Sequence, residues 1–252
     1  EKSQQRLTLQ PANVVGRLLY PSDRRNKHSL SPAEDVPIWV YSDKDGNGLP
    51  DRDRSGNDIM EWSARTDRAG NFALMVPPGN YVLRIAPPSH LGVLPPSPFR
   101  FEVTHPTDVL YVGDSANVSW ESQLMPRGFI VERREVNGTY RSLHKGLTKP
   151  HVRTFFDNRR LPGRMYEYRL VAKLSNGAYA FPAGTMRPTQ PFFALEPVVK
   201  TITGMVVNRD KEVIAGAEVF ARRIDGRGWN STLTEEDGSY LLGVGSGSIQ
   251  VS

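Results

Sequence analysis

One segment of this sequence occurs twice. Residues 66–84, TDRAGNFALMVPPGNYVLR, align without a gap on residues 234–252, TEEDGSYLLGVGSGSIQVS. The aligned pairs share their residue type or character at turn and strand positions: Thr66 with Thr234, Gly70 with Gly238, Phe72 with Tyr240, Val76 with Val244, Gly79 with Gly247 and Leu83 with Val251. Each copy has a turn, a strand, a second turn around glycine and another strand. Such a repeat predicts a modular β protein ahead of a single catalytic domain.

The composition favours turn-rich β structure. The 252 residues include 20 Pro and 22 Gly, and the clearest pattern is short runs of period-two alternation. The chain is long enough for two or three small domains. It has no apolar stretch of the roughly 20 residues that span a bilayer, so we predict no membrane span in this segment. The opening residues, EKSQQRLTLQ, lack the apolar core of a signal peptide.

Cysteine and charge narrow the possible functions. The chain has no Cys, which excludes thiolate zinc sites and cysteine catalysis. Its formal net charge is +5, but its Lys and Arg residues are scattered apart from short clusters at Arg133 and Arg134 and at Arg159 and Arg160. We favour a solvated basic face over the alternative, a dedicated polyanion site. Nucleic acid is therefore not expected as a partner.

The first and last parts of the chain share an order of predicted strands. Residues 1–104 have strands predicted at 14–19, 36–41, 71–76, 81–85 and 99–103, and residues 197–252 have strands predicted at 202–207 and 217–221 ahead of the repeated segment. In both parts the opening strand carries Gly-Arg or Gly-Met, and Pro-Ile or Gly-Ala precedes the second strand. The turn reads T-x-x-x-G-[NS]-[FY]. On these residues both parts resemble the carboxypeptidase regulatory-like and Cna-B-like family of seven-stranded sandwiches, an accessory domain whose name implies no peptidase activity.

The alignment of the two copies also predicts a difference at the end of the chain. Residues 1–104 continue past the repeated segment to a closing strand at 99–103, whereas the second copy reaches Ser252 at the equivalent of Arg84. A sandwich without its last strand has an unpaired edge and an open core. We expect further residues, or a strand from elsewhere, to complete it.

The middle of the chain, residues 105–196, has a different pattern. Val118-Ser119-Trp120 predicts one strand, and Gly128 to Arg134 predicts the next strand. The run from Leu161 to Ala172 contains L-P-G-x-x-Y-x-Y, with alternation that places Tyr166, Tyr168, Leu170 and Ala172 on one face. These residues resemble a fibronectin type III domain, and the resemblance implies that Trp120 lies in the core and that Tyr166 forms the tyrosine corner.

These segments together predict an all-β protein. We expect a tandem array of three immunoglobulin-like or prealbumin-like β-sandwich domains, at residues 1–104, 105–196 and 197–252. Pro-containing stretches at residues 104–106 and 187–191 are predicted to be semi-rigid linkers between them.

The two copies differ most between their first strand and the repeated segment. The excess in the first copy includes a polar stretch at residues 21–34 and the acidic sequence DKDGNGLPDRDRSGND after Tyr41. That sequence places oxygen ligands at Asp43, Asp45 and Asn47, then Gly48, then Asp51 and Asp53. Alternating oxygens followed by a glycine are what a loop needs to wrap a hard cation.

The string D-x-D-G-N-G-x-x-D resembles the calcium loops of thrombospondin type 3 repeats. It departs from an EF-hand, because the twelfth position is Arg54 and no flanking helices are evident, so Asp53, Asn57 or Asp58 would supply the remaining oxygens. We predict a structural Ca²⁺ site. The alternative is a polar hairpin tip without a metal, since Asp, Asn and Gly also form turns.

The sequence favours a non-catalytic role. No residues converge as nucleophile, base and orienting group, so we predict that the chain is not an enzyme. We expect an extracellular or cell-surface spacer, adhesion or assembly scaffold of bacterial type, joined to other domains or neighbouring subunits.

One alternative is the carbohydrate-binding accessory region of a secreted hydrolase, with Trp62 or Trp229 stacking on glycans. Another is a filament or surface-layer subunit that accepts a donated strand. Three sequons begin at Asn117, Asn137 and Asn230.

Overall fold

The computed structural model describes residues 12–23, 26–105, 107, 109–161, 164–224 and 229–252. Almost all regular structure in these residues is extended, with one 3₁₀-helix at Ser89–Leu91, and the predicted all-β class is confirmed. The chain divides into two compact units: unit 1 comprises Glu1–Leu110 and Phe193–Ser252, and unit 2 comprises Tyr111–Phe192. In the part of the chain that the structure describes, no helix is long and apolar enough to cross a membrane.

The described residues form 23 strands. The first eight are β1 (Val14–Asp23), β2 (Asn26–Pro32), β3 (Pro37–Ser42), β4 (Met60–Arg65), β5 (Asn71–Leu74), β6 (Gly79–Ile85), β7 (Val93–Leu94) and β8 (Phe99–Val103). The next eight are β9 (Leu110–Val112), β10 (Ala116–Glu121), β11 (Gly128–Glu135), β12 (Arg141–Ser142), β13 (Thr154–Asp157), β14 (Tyr166–Lys173), β15 (Tyr179–Ala180) and β16 (Thr185–Pro188). The last seven are β17 (Phe193–Ala194), β18 (Glu196–Pro197), β19 (Lys200–Met205), β20 (Glu218–Arg223), β21 (Trp229–Leu233), β22 (Ser239–Val244) and β23 (Ile249–Val251).

Residues 14–103 of unit 1, which contain the first copy of the repeated segment, form a sandwich of antiparallel strands. Strands β4, β3, β6 and β8 form one sheet in that order, and β1 pairs with β5 and β2. Alternation decides which side chains are buried: Phe72 and Leu74 on β5 are buried, whereas Asn71 and Ala73 between them are exposed. The predicted strands at 71–76, 81–85 and 99–103 are therefore present as β5, β6 and β8.

The polar stretch at residues 21–34 is part of a hairpin. Strand β1 runs on to Asp23, and β2 returns alongside it, with Leu19 opposite Pro32 and Tyr20 opposite Ser31. The Ser22 and Ser29 hydroxyls lie 2.8 Å apart across the hairpin. Sequence reasoning assigned no strand to this polar stretch, because its residues lack an apolar face that would mark one.

The two repeated threonines make the same contacts in both copies. Each is buried, and each hydroxyl donates to one backbone carbonyl oxygen and accepts one backbone N–H. The donated bonds are Thr66 to Ala33 and Thr234 to Ile214, both 2.6 Å, and the accepted bonds come from Val36 and Ala217, both 2.9 Å. A buried hydroxyl satisfied in both directions is costly to replace, which explains why the threonine recurs.

The repeated glycines also have the same backbone geometry. Gly70 has φ of 76° and Gly238 has φ of 74°, values in the left-handed region that glycine tolerates best. The carbonyl oxygens of these two residues accept equivalent bonds, from the Leu18 N–H at 2.8 Å and from the Val206 N–H at 2.9 Å. The sequence alignment therefore corresponds to a shared turn.

Two short strands that follow unit 2 in the sequence pair with strands of the first part of unit 1. Strand β17 pairs in parallel with β1, and β18 pairs with β7. The Trp229 indole N–H donates to the Pro96 carbonyl oxygen over 3.0 Å, and the Glu196 carboxylate forms an ion pair with Arg223. The predicted array of three separate sandwiches stays a prediction; in the structure its first and third members lie in one compact unit.

Unit 2 has two sheets around its own core. One sheet has the order β13, β10, β16 and the other the order β12, β11, β14, β15. Its buried cluster consists of Trp120, Phe129, Val131, Leu170, Ala172 and Ala183. The predicted core position of Trp120 is confirmed, since its ring meets Phe129 edge-on at 5.8 Å between centroids.

The tyrosine contact expected in this unit is present. The Tyr166 hydroxyl accepts the Leu161 backbone N–H over 3.0 Å, which is the kind of backbone contact that a tyrosine corner makes. Residues 162 and 163 of the sequence motif, Pro162 and Gly163, lie outside the described residues.

The second linker prediction was wrong at its start. Strand β16 extends to Pro188, with Arg187 opposite Ser119 and Pro188 opposite Val118 of β10. The Thr189 N–H continues this side with a bond to the Asn117 carbonyl oxygen over 2.8 Å. Proline is compatible with a strand at the sheet edge, where its missing N–H faces no partner, and β16 is such an edge strand.

Candidate functional site

The acidic loop connects β3 to β4 in unit 1 and begins at a buried carboxylate. The Asp43 side chain has 0% exposure, and one of its oxygens lies 3.2 Å from Nε of Arg100 on β8. The Gly48 N–H donates to the same carboxylate over 3.2 Å. Asp43 is also held through its backbone, because its N–H donates to the Asn80 carbonyl oxygen over 3.0 Å. The first predicted ligand therefore anchors the loop to the sheet.

The other predicted ligands accept hydrogen bonds from nearby residues, Asp45, Asn47 and Asp53 within their own turns and Asp51 from the start of the loop. Asp45 accepts a bond from the Asn47 N–H at 3.1 Å, and Asn47 accepts one from the Leu49 N–H at 2.7 Å. Asp51 accepts bonds from the Lys44 N–H at 3.0 Å and the Ser42 hydroxyl at 2.8 Å. Asp53 accepts bonds from the Ser55 N–H at 2.8 Å and the Asn57 N–H at 2.9 Å. Such side-chain to backbone bonds are what Asp and Asn use to form turns.

These bonds favour ionised carboxylates. The pKa of Asp51 is lowered, first by the bond from the Lys44 backbone N–H and then by the Ser42 hydroxyl. The pKa of Asp53 is lowered chiefly by the Asn57 backbone N–H. A donor aimed at a carboxylate stabilises its charged form. The loop therefore keeps its negative charge while using it to order its own backbone.

The remaining acidic group at this end pairs with arginine. Asp58, which was considered as a further ligand, lies 2.7 Å from Nη1 of Arg84 and 3.4 Å from Nε of Arg52. The amide nitrogen of Asn57 lies 3.4 Å from the Asp53 carboxylate. Both side chains therefore have protein partners.

The predicted calcium ligands have donors of the protein itself as partners. Within the described ranges, no three His, Cys, Asp or Glu side chains are grouped so that they could hold a metal. Arg100 supplies a positive charge at Asp43, and its Nη2 lies 2.7 Å from the point where a Cβ on Gly46 would stand. The sequence could not show this contact, since Arg100 is far along the chain. Calcium binding stays a prediction.

A second set of buried polar groups lies in unit 2. The Asp157 carboxylate accepts two bonds from Nη1 of Arg133, at 3.0 and 2.8 Å, and one from the Tyr168 hydroxyl at 2.8 Å. The Tyr168 hydroxyl in turn accepts a bond from Arg160 over 3.0 Å. Sequence reasoning placed Tyr168 on the core face but did not assign a partner to Asp157. The network ties β13 to both β11 and β14.

Burial raises the pKa of Tyr168 to about 12, and the neighbouring Asp157 charge adds to the shift. Between pH 10 and 12 the unfolded chain loses a proton that the folded chain keeps, so stability falls as pH rises through this window. We expect the urea midpoint of the wild-type protein to fall more steeply over this range than that of Tyr168→Phe. Tyr179→Phe, whose ring is 57% exposed, is the control and should follow the wild type. Equal slopes for all three proteins would contradict the assignment.

The candidate glycan-stacking tryptophans both have partners within unit 1. The Trp62 ring meets Tyr81 edge-on at 5.4 Å, and Trp229 stacks on Phe220 at 6.4 Å between centroids. Trp229 also uses its N–H for Pro96. Of the sequon residues, Asn117 and Asn137 are exposed, whereas the Asn230 amide donates to the Gly243 carbonyl oxygen over 3.0 Å.

No protein-family model matches this sequence, and no curated protein matches it significantly. Among solved structures, the chain is similar to BcpA, the major pilin subunit of Bacillus cereus, at 10% identity and a TM-score of 0.21, over 94% of this chain and 86% of that one. It is also similar to a tetra-tandem repeat in the extending region of a large adhesion protein, at 10% identity and a TM-score of 0.15, over 94% of this chain and 69% of that one. Likenesses at such TM-scores carry no argument about function.

Proposed function

We propose that this chain is a segment of an extracellular or cell-surface scaffold, whose role is to space or join other parts of a larger assembly. The observation that carries the proposal is a set of three ion pairs, each between separate segments of the fold. Asp43 pairs with Arg100 between the loop and β8, Asp157 pairs with Arg133 between β13 and β11, and Glu196 pairs with Arg223 between β18 and β20. Each pair joins separate strands.

Cross-strand pairs of this kind make a unit resistant to local opening. The Asp157–Arg133 pair has side chains only 1% and 17% exposed, and removing one member of such a pair costs about 3–5 kcal/mol. In unit 2 the pair is reinforced by cation–π contacts, with Arg133 4.4 Å and Arg160 4.8 Å from the centre of the Tyr166 ring. A stiff element is what a spacer requires, and no catalytic step is needed to explain these residues.

Location is the part of the proposal that is most easily tested. Antibodies raised against the purified chain should label intact cells of its source as strongly as permeabilised cells. An antibody against a cytosolic protein of the same cells is the control for leakage. Labelling that requires permeabilisation would contradict a surface role.

A filament or surface-layer subunit is the second candidate. Large apolar side chains remain exposed in residues 197–252, which contain the second copy of the repeated segment: Met205 is 59% exposed, Leu233 59% and Leu241 68%. Exposed apolar groups on strands are suited to contact with a neighbouring subunit. A molar mass from light scattering that rises with protein concentration in the wild type, but not in Leu241→Lys, would support assembly. A monomeric molar mass at all concentrations would remove the filament candidate and leave the spacer role.

Glycan binding is the third candidate, on the ground of a half-buried Trp62 beside Tyr81. A glycan array with the wild type and Trp62→Ala tests it, since a stacking residue contributes only to a protein that binds sugar. No glycan bound by the wild type, or equal binding by the variant, would remove this candidate.

Calcium is proposed as a structural ligand of the acidic loop, and Arg100 must then release Asp43 to the ion. We expect Ca²⁺ to raise the melting temperature relative to a chelator, since a ligand at one hundred times its Kd stabilises by about 2.7 kcal/mol. Arg100→Gln removes the competing cation and should enlarge the shift. Asp45→Asn, an exposed position, should reduce it. An identical melting temperature with Ca²⁺ and with chelator, in the wild type and in Arg100→Gln, would contradict the proposal.

A further inference from the structure

Unit 2 contains a cavity of about 550 Å³ at the end of β11 and the turn that follows it. Its lining includes four arginines, Arg133, Arg134, Arg141 and Arg159, with Glu135 as the acidic residue among them. Two short basic clusters that are distant in the sequence, at 133 and 134 and at 159 and 160, are therefore brought to one place. The volume lies within the range of about 300–1,000 Å³ that is typical of small-ligand sites.

Two of the four guanidinium groups are held in position by the protein. Arg133 donates to Asp157 at 3.0 and 2.8 Å, and its guanidinium carbon lies 4.4 Å from the centre of the Tyr166 ring. Arg134 pairs with Glu167, which lies 2.6 Å away, and stacks on Tyr140 at 4.6 Å. These contacts fix the two side chains and compensate their charge, so they form the wall of the cavity.

The other two arginines have a different environment. Arg141 and Arg159 are exposed, and among the described residues no acidic group lies at ion-pair distance from either guanidinium. Glu135 lies 3.8 Å from Arg164, so its charge is already partly compensated. The cavity therefore presents a net positive charge that its lining does not neutralise.

We propose that this cavity binds an oxyanion group, a sulfate or phosphate, either free or as an ester on a sugar. A guanidinium presents parallel N–H donors whose spacing matches two oxygens of such a group. Arg141 and Arg159 are the residues that bind it, while Arg133 and Arg134 shape the wall. This binding activity goes beyond a scaffold role and does not depend on it.

Calorimetric titration of the full chain tests the proposal, with inorganic sulfate, inorganic phosphate and a sulfated disaccharide as probes. The test variant is Arg141→Gln with Arg159→Gln. The control is Arg209→Gln with Arg222→Gln, which removes the same charge from exposed positions outside unit 2. Melting temperatures of both variants should match the wild type, because all four side chains are exposed.

We expect the wild type and the control to bind at least one probe, and the test variant to lose about tenfold or more in affinity, as the loss of charge-assisted bonds implies. Tighter binding of the disaccharide than of inorganic sulfate would identify a sugar ester as the source, and equal binding would identify the free ion. Equal losses in the two variants would show general electrostatic attraction and overturn the proposal. No heat with any probe, in a wild-type protein that is folded, would also overturn it.

Discussion

Asp157→Ala is expected to lower the free energy of unfolding of unit 2 by about 3–5 kcal/mol, since it leaves a buried arginine without its counter-charge. The Asp157 side chain is 1% exposed and that of Arg133 is 17% exposed. The Tyr168 hydroxyl also loses its acceptor. Chemical denaturation followed by tyrosine and tryptophan fluorescence measures the change.

Glu121→Ala is the matched control for Asp157→Ala. Glu121 lies in the same unit and pairs with Arg187 at 3.4 Å, but both side chains are largely exposed, at 74% and 67%. An exposed pair contributes about 0–1 kcal/mol, so this variant should stay near the wild type. Similar losses for the two variants would mean that burial does not decide the strength of the Asp157 pair.

Gly70→Ala is expected to destabilise unit 1 by about 2–5 kcal/mol, since it combines a strained backbone with a steric clash. At φ of 76° an added Cβ would lie 2.3 Å from the Leu18 carbonyl oxygen and 3.2 Å from the Ala33 nitrogen. Both are backbone atoms, in β1 and just after β2, so neither can move aside cheaply. Urea denaturation measures the loss.

Two other glycines separate strain from clash. Gly56 has φ of 86° with nothing within 4 Å of an added Cβ, so Gly56→Ala should cost only the backbone strain, about 1–2 kcal/mol. Gly238 is the repeat partner, and its nearest obstacles are the Val206 carbonyl oxygen at 2.9 Å and the Val213 Cβ at 3.0 Å. Gly238→Ala should therefore fall between the two. An equal cost for all three would show that the clash at Gly70 is relieved.

Much of the fold could be predicted from the sequence because its signals are local. Alternation identified β5, β6 and β8, and a shared turn with threonine and glycine aligned the two copies. Such signals depend on neighbours within a few residues, which the sequence displays directly.

The partners of charged side chains could not be predicted in the same way. The acidic pattern predicts Asp43 as a metal ligand but does not display Arg100, which meets the Asp43 carboxylate because of how β3, β6 and β8 align. The convergence of Arg133 and Arg159 on one cavity likewise depends on which strands become neighbours. The joining of the two copies through β17 and β18 rests on pairs of only two residues, which leave no periodic signal.

We expect the two parts of unit 1 that contain the repeated segments to form one folding unit, distinct from unit 2. Differential scanning calorimetry of the wild type, Gly70→Ala, Gly238→Ala and Asp157→Ala tests this claim. We predict two transitions, with both glycine variants lowering the same one and Asp157→Ala lowering the other. Three transitions, with Gly70→Ala and Gly238→Ala acting on different ones, would contradict it.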